Sequence, residues 1–395
     1  MRWSRVLPAT ALAGAAASAV LAVGFVSAPC VNADTRITVP GAGPLYEPNS
    51  ITQDIPGLGE RYFVVDGQQA LGSLTILQGY DLLNHEIGEN WFPDTTAQVV
   101  NYPASIGILS GSLAAPGADD AIAAGQQALN DQIMNAVANG NGEPVQVAGL
   151  SMGTLVIDHE LAYLATDPTA PSPSELLFTS FSNPQLGFAD TYLPAGAYVP
   201  LADYTAEDMP DTQYDVDVVF HQYDAWANPP DRPWDLLSVI NALVGTRLYH
   251  NAAALAAPSD TELISTVHDS LGGTIDTYMI PSSTLPLLVP LQGLGVPENI
   301  IDSLNSVLKP IVDEGYSALT PDAGPYLWHG ELLGLPSLSD IAQSLQSGIS
   351  DVAGLLDSGV AQLDLPADIT QSVGSGIADI ANSMGSEIGQ LFATL

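Results

Sequence analysis

The segment that most constrains this chain is a serine set between two glycines. Residues 149–153 read Gly-Leu-Ser-Met-Gly, which matches the pattern G-x-S-x-G. The apolar residues before the motif predict a short buried strand, and the apolar run after it predicts a helix. Neighbouring chains approach closely at such a join, so a Cβ at Gly149 or Gly153 would clash. The pattern therefore predicts a sharp strand-to-helix turn that presents the Ser151 hydroxyl.

A serine on such a turn is suited to nucleophilic attack. The backbone N–H of Met152 would point toward the oxyanion that forms during the attack, and the dipole of the following helix would favour that charge. A serine hydroxyl also needs a base. In folds that carry this turn, an acid and then a histidine follow the serine along the chain. The competing interpretation is an ordinary Gly-Ser turn.

The order of residues along the chain limits the candidates for the acid and the base, but it does not identify the base. Asp224 lies just beyond a strand predicted over 214–223, and α/β folds place site residues at such strand ends. Three of the six histidines lie beyond it: His250, His268 and His329. Residue order alone does not choose among these three.

Predicted strands alternate with predicted helices along the middle of the chain. Strands are predicted at residues 61–65, 99–103, 145–150, 175–182 and 214–223, and the longest helix at 118–139. This alternation predicts an α/β fold with a mainly parallel sheet flanked by helices. We place this domain at residues 61–330. Residues 34–60 are rich in Pro, Gly and Asn and are predicted to be an irregular lead-in.

The N-terminus is typical of an export signal. Arg2 and Arg5 precede an uncharged run over residues 7–26, and Val31-Asn32-Ala33 offers the small residues that a signal peptidase reads. We predict a signal peptide at residues 1–33 and an exported protein, secreted or associated with the cell envelope. The alternative is an uncleaved membrane anchor. Cys30, the single cysteine, would leave with the signal unless it is a lipidation site.

The C-terminal residues 331–395 carry apolar residues at helical spacing among Ser, Gly and Asp. We predict weakly amphipathic helices that extend the domain. Packing against the main domain is one interpretation. Contact with a membrane surface or a partner is the other, although the cationic residues that assist membrane binding are absent.

The charge balance excludes one class of partner. The chain has 44 acidic side chains against seven Lys and Arg, and its formal net charge is −37. Nucleic-acid binding requires clustered Arg and Lys to contact phosphates, so we expect no nucleic-acid partner. There is no Gly-rich phosphate loop and no His, Cys or Asp pattern with metal-ligand spacing, so we expect neither a cofactor nor a metal.

Residues 221–253, HQYDAWANPPDRPWDLLSVINALVGTRLYHNAA, resemble the PE-PPE domain of mycobacterial proteins, a cutinase-like serine α/β-hydrolase. The stretches NYPAS at 101–105 and YMIPSSTLPLLVPL at 278–291 are also similar to that family. The resemblance covers roughly residues 60–325. An export signal stands where many members carry a PE or PPE module, as in stand-alone exported members.

The resemblance implies specific roles. It makes Ser151 the nucleophile, Asp224 the acid and His250 the base. The family's Gly-Thr after the first strand corresponds here to Gly67-Gln68, so the Gln68 amide is expected to be the second oxyanion donor beside Met152. The segment 149–153 differs from the Gly-Tyr-Ser-Gln-Ser form common in the family but keeps a complete G-x-S-x-G.

The implied chemistry is transfer of an acyl group from an ester through an acyl-serine. Water as the acceptor would make the protein an esterase or lipase, and a sugar hydroxyl would make it an acyltransferase that builds envelope glycolipids such as acylated trehalose. Leucines at 285, 287, 288 and 291 either line an acyl pocket or pack in the core. A different class is a non-catalytic envelope-binding or structural protein with a vestigial triad.

Overall fold

The computed structural model describes residues 34–43, 63–65, 68–70, 76–140 and 142–334. The strands are β1 (Asp34–Val39), β2 (Phe63–Val65), β3 (Gln68–Ala70), β4 (Thr95–Val99), β5 (Val145–Leu150), β6 (Leu176–Phe181), β7 (Tyr198–Val199), β8 (Tyr204–Thr205), β9 (Val216–His221), β10 (Glu262–His268), β11 (Thr274–Ile280), β12 (Tyr326–Trp328) and β13 (Glu331–Leu333). The helices are α1 (Ile76–Glu86), α2 (Ala118–Asn139), α3 (Met152–Leu164), α4 (Asp190–Tyr192), α5 (Leu236–Tyr249), α6 (Val289–Gly293) and α7 (Glu298–Asp313).

Seven of these strands form one sheet in the order β10-β11-β9-β6-β5-β1-β4. Every neighbouring pair is parallel except β10 and β11, which pair antiparallel at one edge. The predicted mainly parallel α/β sheet is therefore confirmed. Parallel strands all end at the same edge, so the loops after β1, β5, β6 and β9 lie side by side.

Successive residues of the central strands enter two separate cores, one on each face of the sheet. Val147 and Val218 pack with apolar residues of α2 and α3. Their neighbours Ala148 and Val219 pack on the opposite face with Leu83 of α1. This two-sided burial explains the continuous apolar runs of the central strands, because a parallel sheet covered on both faces needs apolar residues at every position.

The prediction of an irregular lead-in over residues 34–60 is wrong for its first six residues. Asp34–Val39 is strand β1, which pairs with β4 on one side and β5 on the other. Ile37 and Val39 are completely buried. The six-residue run DTRITV carries the β-branched residues that favour a strand, and the Pro and Gly that suggested a loop begin only after Val39. The domain therefore begins at residue 34 rather than at residue 61.

The strand predicted at residues 61–65 does form in part, but outside the main sheet. Phe63–Val65 pairs antiparallel with Gln68–Ala70 in a separate two-stranded unit. Likewise, the segment predicted to be helical from residue 331 starts as strand β13, which pairs with β12. The predicted signal at residues 1–33 and residues 335–395 of the predicted tail lie outside the described residues.

Candidate active site

The serine of the G-x-S-x-G motif lies on a sharp turn between β5 and α3. Ser151 directly follows the last residue of β5. Its backbone has φ 52° and ψ −120°, a conformation that residues other than glycine rarely adopt. Such strain persists only where the surrounding structure imposes it, and it concentrates at functional sites. The predicted strand-to-helix turn at Ser151 is confirmed.

Both glycines of the motif are required by close packing. A Cβ at Gly153 would lie 2.1 Å from the carbonyl oxygen of Val39, so the start of α3 presses directly on the end of β1. A Cβ at Gly149 would lie 2.7 Å from the Ile157 side chain and 2.8 Å from the Gly153 carbonyl oxygen. The turn is therefore held against β1 and its own helix by contacts that leave no space for a side chain.

Asp224 and His250 meet through a hydrogen bond. The Nδ1 atom of His250 lies 2.7 Å from Oδ2 of Asp224, whose side chain is fully buried. Burial acts to raise the pKa of Asp224, but the adjacent His250 ring, the Trp226 N–H and the Thr246 hydroxyl outweigh it and hold that pKa below its usual value. Asp224 therefore remains charged and orients the imidazole.

The last turn of helix α5 places Thr246, and His250 just after the helix, beside Asp224. Thr246 lies one helical turn before His250, and its Oγ1 lies 3.1 Å from Oδ1 of Asp224. The same oxygen accepts a 2.8 Å hydrogen bond from the Ala225 N–H. A Cβ at Gly245 would lie 1.8 Å from the Tyr223 carbonyl oxygen, so α5 packs directly on the chain that leaves β9. The sequence analysis missed Thr246; its i, i+4 spacing to His250 was the available signal.

A second serine, at the end of the neighbouring strand, is hydrogen-bonded to the backbone of His250. Ser182 follows β6, has φ 52°, and donates a 2.9 Å hydrogen bond from Oγ to the backbone carbonyl of His250. Its own N–H donates to the Val219 carbonyl, as the Ser151 N–H does to Phe181. The turns after β5, β6 and β9 are thus linked, and they bring Ser151, Asp224 and His250 to one edge of the sheet.

A model of the PE-PPE domain matches residues 93–317. This chain belongs to the PE-PPE domain family. The family match confirms the resemblance seen in the sequence and assigns the mainly parallel sheet to the cutinase-like α/β-hydrolase class. Ser151, Asp224 and His250 all lie within the matched residues.

Several PE-PPE relatives come from Mycobacterium tuberculosis. The uncharacterized PPE family protein PPE63 is 51% identical over 76% of this chain and 58% of its own length. Diacyltrehalose acyltransferase Chp2 is 35% identical over 60% of this chain and 70% of its own. SL1278 acyltransferase Chp1 is 32% identical over 80% of this chain and 74% of its own. No solved structure matches the chain.

The other histidines of this PE-PPE domain have different surroundings. His268 ends β10, a strand exposed at every residue. His221 is buried and stacked on Tyr249, and burial lowers its pKa to about 4, so it remains neutral near pH 7. His329 lies in the turn between β12 and β13. Of the three histidines that residue order left open, His250 is the one hydrogen-bonded to Asp224.

The position of the first strand removes the reason for placing an oxyanion donor at Gln68. That expectation took residues 61–65 as the first strand of the sheet, but the first strand is β1 and the segment after it is Pro40-Gly41-Ala42. A Cβ at Gly41 would lie 3.2 Å from the Ser151 Cβ. Gln68 begins β3 in the separate two-stranded unit. Met152 begins α3 as predicted, with its side chain buried in the core.

The leucines considered as an acyl pocket pack in a core. Leu285, Leu288 and Leu291 are buried in a cluster that also contains Ile301 and Val312 of α7. Leu287 is partly buried against the same cluster. Their arrangement is that of ordinary packing between α7 and the segment after β11.

Among the described residues, one group of side chains has ligand atoms close enough together to hold a metal ion. Atoms of Asp190, Asp208 and His329 all lie within 4.8 Å of one another and line an open cavity of about 480 Å³. Burial raises the pKa of Asp190 to about 6, partly offset by His329. The sequence analysis expected no metal site because no His, Cys or Asp pattern has metal-ligand spacing, and these three residues come from separate segments of the chain. Asp208 is exposed, and exposed acidic groups commonly cluster without a metal.

Proposed function

We propose that this protein is an exported serine enzyme that transfers acyl groups from ester donors through an acyl-Ser151 intermediate. The observation that carries the proposal is the His250–Asp224 hydrogen bond, held at the same sheet edge as a serine with φ 52°. Relatives named as acyltransferases support the reaction class. The chain spans 58% of the length of PPE63, so its activity as a whole protein is part of the proposal.

The reaction begins with proton transfer from Ser151 to the Nε2 atom of His250. The Ser151 oxygen forms a bond to the ester carbonyl carbon, and the carbonyl electron pair moves onto oxygen, where the Met152 N–H stabilises it. Asp224 stabilises the imidazolium through Nδ1. Collapse of the intermediate breaks the ester bond, and His250 returns the proton to the departing alcohol. An acceptor hydroxyl then releases the acyl group by the same steps in reverse.

A sugar hydroxyl of a trehalose-type glycolipid is the acceptor we propose. The support is the relative Chp2, which is named a diacyltrehalose acyltransferase. Water is the competing acceptor, because it is present at high concentration and attacks the same acyl-serine. The N-terminal sequence supports our proposal of export to the envelope, and the apolar residues at helical spacing within 335–395 support contact with it.

A fluorophosphonate probe tests the nucleophile, because it labels only an activated serine. We expect the wild-type protein to be labelled and to hydrolyse a p-nitrophenyl ester. Ser151→Ala should lose both properties while its thermal unfolding changes little. Ser306→Ala, on the exposed face of α7, is the matched control and should keep both. Retained turnover in Ser151→Ala would remove this residue from the mechanism, and an unlabelled wild-type protein would favour a non-catalytic binding protein.

The chemical identity of the acylated product shows which acceptor the enzyme uses. A mass-tagged acyl donor is incubated with the enzyme, with and without trehalose. Tagged acyl-trehalose that forms only with the wild-type enzyme supports acyltransfer. Release of free tagged acid alone, unchanged by trehalose, would make the protein an esterase.

A further inference from the structure

The proposed base lies just beyond the end of a helix. His250 follows the last residue of α5, and its N–H donates a 3.2 Å hydrogen bond to the Thr246 carbonyl. The last carbonyls of a helix have no partner within the helix, and helix ends fray unless other parts of the fold hold them. The base works only while its imidazole stays within hydrogen-bonding reach of its partners. The end of α5 therefore needs a fixed support.

A buried histidine contacts this helix end. The rings of His221 and Tyr249 are stacked, with centroids 4.1 Å apart and planes inclined by 9°. Tyr249 is the last residue of α5 and directly precedes His250. His221 is the last residue of β9 and is buried. The stack therefore joins the end of the helix before the base to the end of the strand before the acid.

The backbone of the same histidine holds the acid. The Asp224 N–H donates a 3.1 Å hydrogen bond to the His221 carbonyl, which closes a tight turn between β9 and the acid. His221 thus contacts the acid through its carbonyl and the residue before the base through its ring. A shift of this ring would move His250 relative to Asp224, because the place of Asp224 is set by the backbone of the same residue.

The His221 ring is itself held in place. Its Nδ1 atom lies 3.3 Å from Oγ of Ser282, in the segment after β11. The Ser282 N–H donates a 3.0 Å hydrogen bond to the side-chain oxygen of Gln222, which follows β9. Burial lowers the pKa of His221 to about 4, so near pH 7 the ring carries no charge that would oppose the imidazolium formed on His250. A fixed, neutral ring is suited to supporting the base.

We propose that His221 is a positioning residue that sets the distance between acid and base, because its carbonyl holds Asp224 and its ring holds the end of α5 through Tyr249. The inference rests on the proposed function of Ser151. His221 takes no part in proton transfer. When His250 takes the Ser151 proton, its Nδ1–H must still point at Asp224, and the stack keeps it there.

The test compares variants with and without a ring at this position. His221→Phe keeps a planar ring and is the conservative variant. His221→Leu keeps an apolar side chain but has no ring face. Tyr214→Leu is the matched control, because it removes a fully buried ring from its contact with Phe178 just before the other end of β9. Circular dichroism and thermal unfolding establish that each variant is folded and how much stability it loses.

The variants should differ in catalysis. A misplacement of about 1 Å can cost ~100-fold in rate, so we expect His221→Leu to lose roughly 10-fold or more in kcat for p-nitrophenyl ester turnover, with KM nearly unchanged. His221→Phe and Tyr214→Leu should keep the wild-type kcat, although both lose stability. Proton NMR supplies a readout that does not depend on turnover. The proton between His250 Nδ1 and Asp224 should give a downfield signal in wild type and His221→Phe, and His221→Leu should weaken it.

The other ring of the stack provides an independent comparison. Tyr249→Leu should also lower kcat, and it replaces His221→Leu in the comparison if that variant does not fold. If the two rings act through one contact, the double variant His221→Leu/Tyr249→Leu should lose no more kcat than the more affected single variant. Losses that multiply in the double variant would show that the rings act separately and would contradict the proposal.

A wild-type kcat and an unchanged downfield signal in His221→Leu would show that the stack does not position the base. An equal loss in His221→Phe and His221→Leu would overturn the role of the ring face. Fluorophosphonate labelling of wild-type Ser151 separates the two levels of inference. A labelled enzyme with unaffected His221 variants rejects only the positioning role, whereas an unlabelled wild-type protein rejects the serine mechanism itself.

Discussion

Replacing Thr246 by valine is a sharp test of how the acid is held, because the two side chains have nearly the same shape. The change removes the hydroxyl beside Asp224 and the acceptor for the Ala225 N–H. A hydrogen bond to a charged group contributes ~1.5–3 kcal/mol, and a buried unpaired N–H costs ~1–3 kcal/mol. Both hydrogen bonds involve the same Thr246 oxygen, so their energies do not add in full. We expect Thr246→Val to lower the free energy of unfolding by ~3 kcal/mol.

The same change should lower activity moderately. Asp224 keeps its contacts with the Trp226 N–H and His250, so it loses one of three partners. Replacing the acid of such a triad outright costs about 10⁴-fold in kcat, and we expect about a 10-fold loss in kcat/KM for Thr246→Val. Thr246→Ser keeps the hydroxyl and should stay close to wild type in both measurements.

The pH dependence has a defined sign. The Thr246 hydroxyl helps to lower the pKa of folded Asp224, so its contribution is present above the unfolded pKa of about 4 and is lost as the pH falls below it. Urea unfolding at pH 7 and at pH 3 should therefore show the stability gap between wild type and Thr246→Val narrowing in acid. A valine variant with wild-type stability and wild-type kcat/KM would refute the idea that this hydroxyl holds Asp224.

The remaining predictions concern the base and a buried acid. His250→Ala should abolish ester turnover, while His268→Ala and His329→Ala should keep it. If His250→Ala is active and one of the other two variants is inactive, the histidine replaced in that inactive variant is the base. Burial raises the pKa of Asp158 to about 7, and its Oδ1 has no hydrogen-bond partner. A raised pKa favours folding below pH ~4 and costs stability as the pH rises to about 7. Asp158→Asn should therefore unfold at a higher temperature than wild type at pH 8 but not at pH 4, and a pH-independent difference would contradict this.

The turn at Ser151 could be predicted from the sequence because its signal is local. Five consecutive residues, with an apolar strand before and an apolar helix after, specify the turn at Ser151. The pairing of Asp224 with His250 required the family resemblance, because residue order left three histidines open. Only the fold shows that the helix ending just before His250 packs on the chain leaving β9, which brings the imidazole to Asp224.

Other features depend on contacts that no sequence window contains. Strand β1 was missed because Pro, Gly and Asn between residues 40 and 60 dominate the composition of the segment in which it was placed. That error then moved the expected oxyanion donor to Gln68. Ser182 reaches the His250 carbonyl only because β6 lies between β5 and β9 in the sheet, and this strand order cannot be read from the sequence near Ser182. Likewise, no local pattern indicates the cluster of Asp190, Asp208 and His329, because the fold brings these residues together from three separate segments.

The interior place of β1 has a consequence for how this chain matures. The earliest described strand must be inserted between residues 95–99 and 146–149, which are synthesised later. Because α3 presses on the Val39 carbonyl, the strained serine has its support only once that insertion is complete. In a partly synthesised chain the proposed nucleophile therefore lacks this support, which forms only when β4 and β5 have both paired with β1.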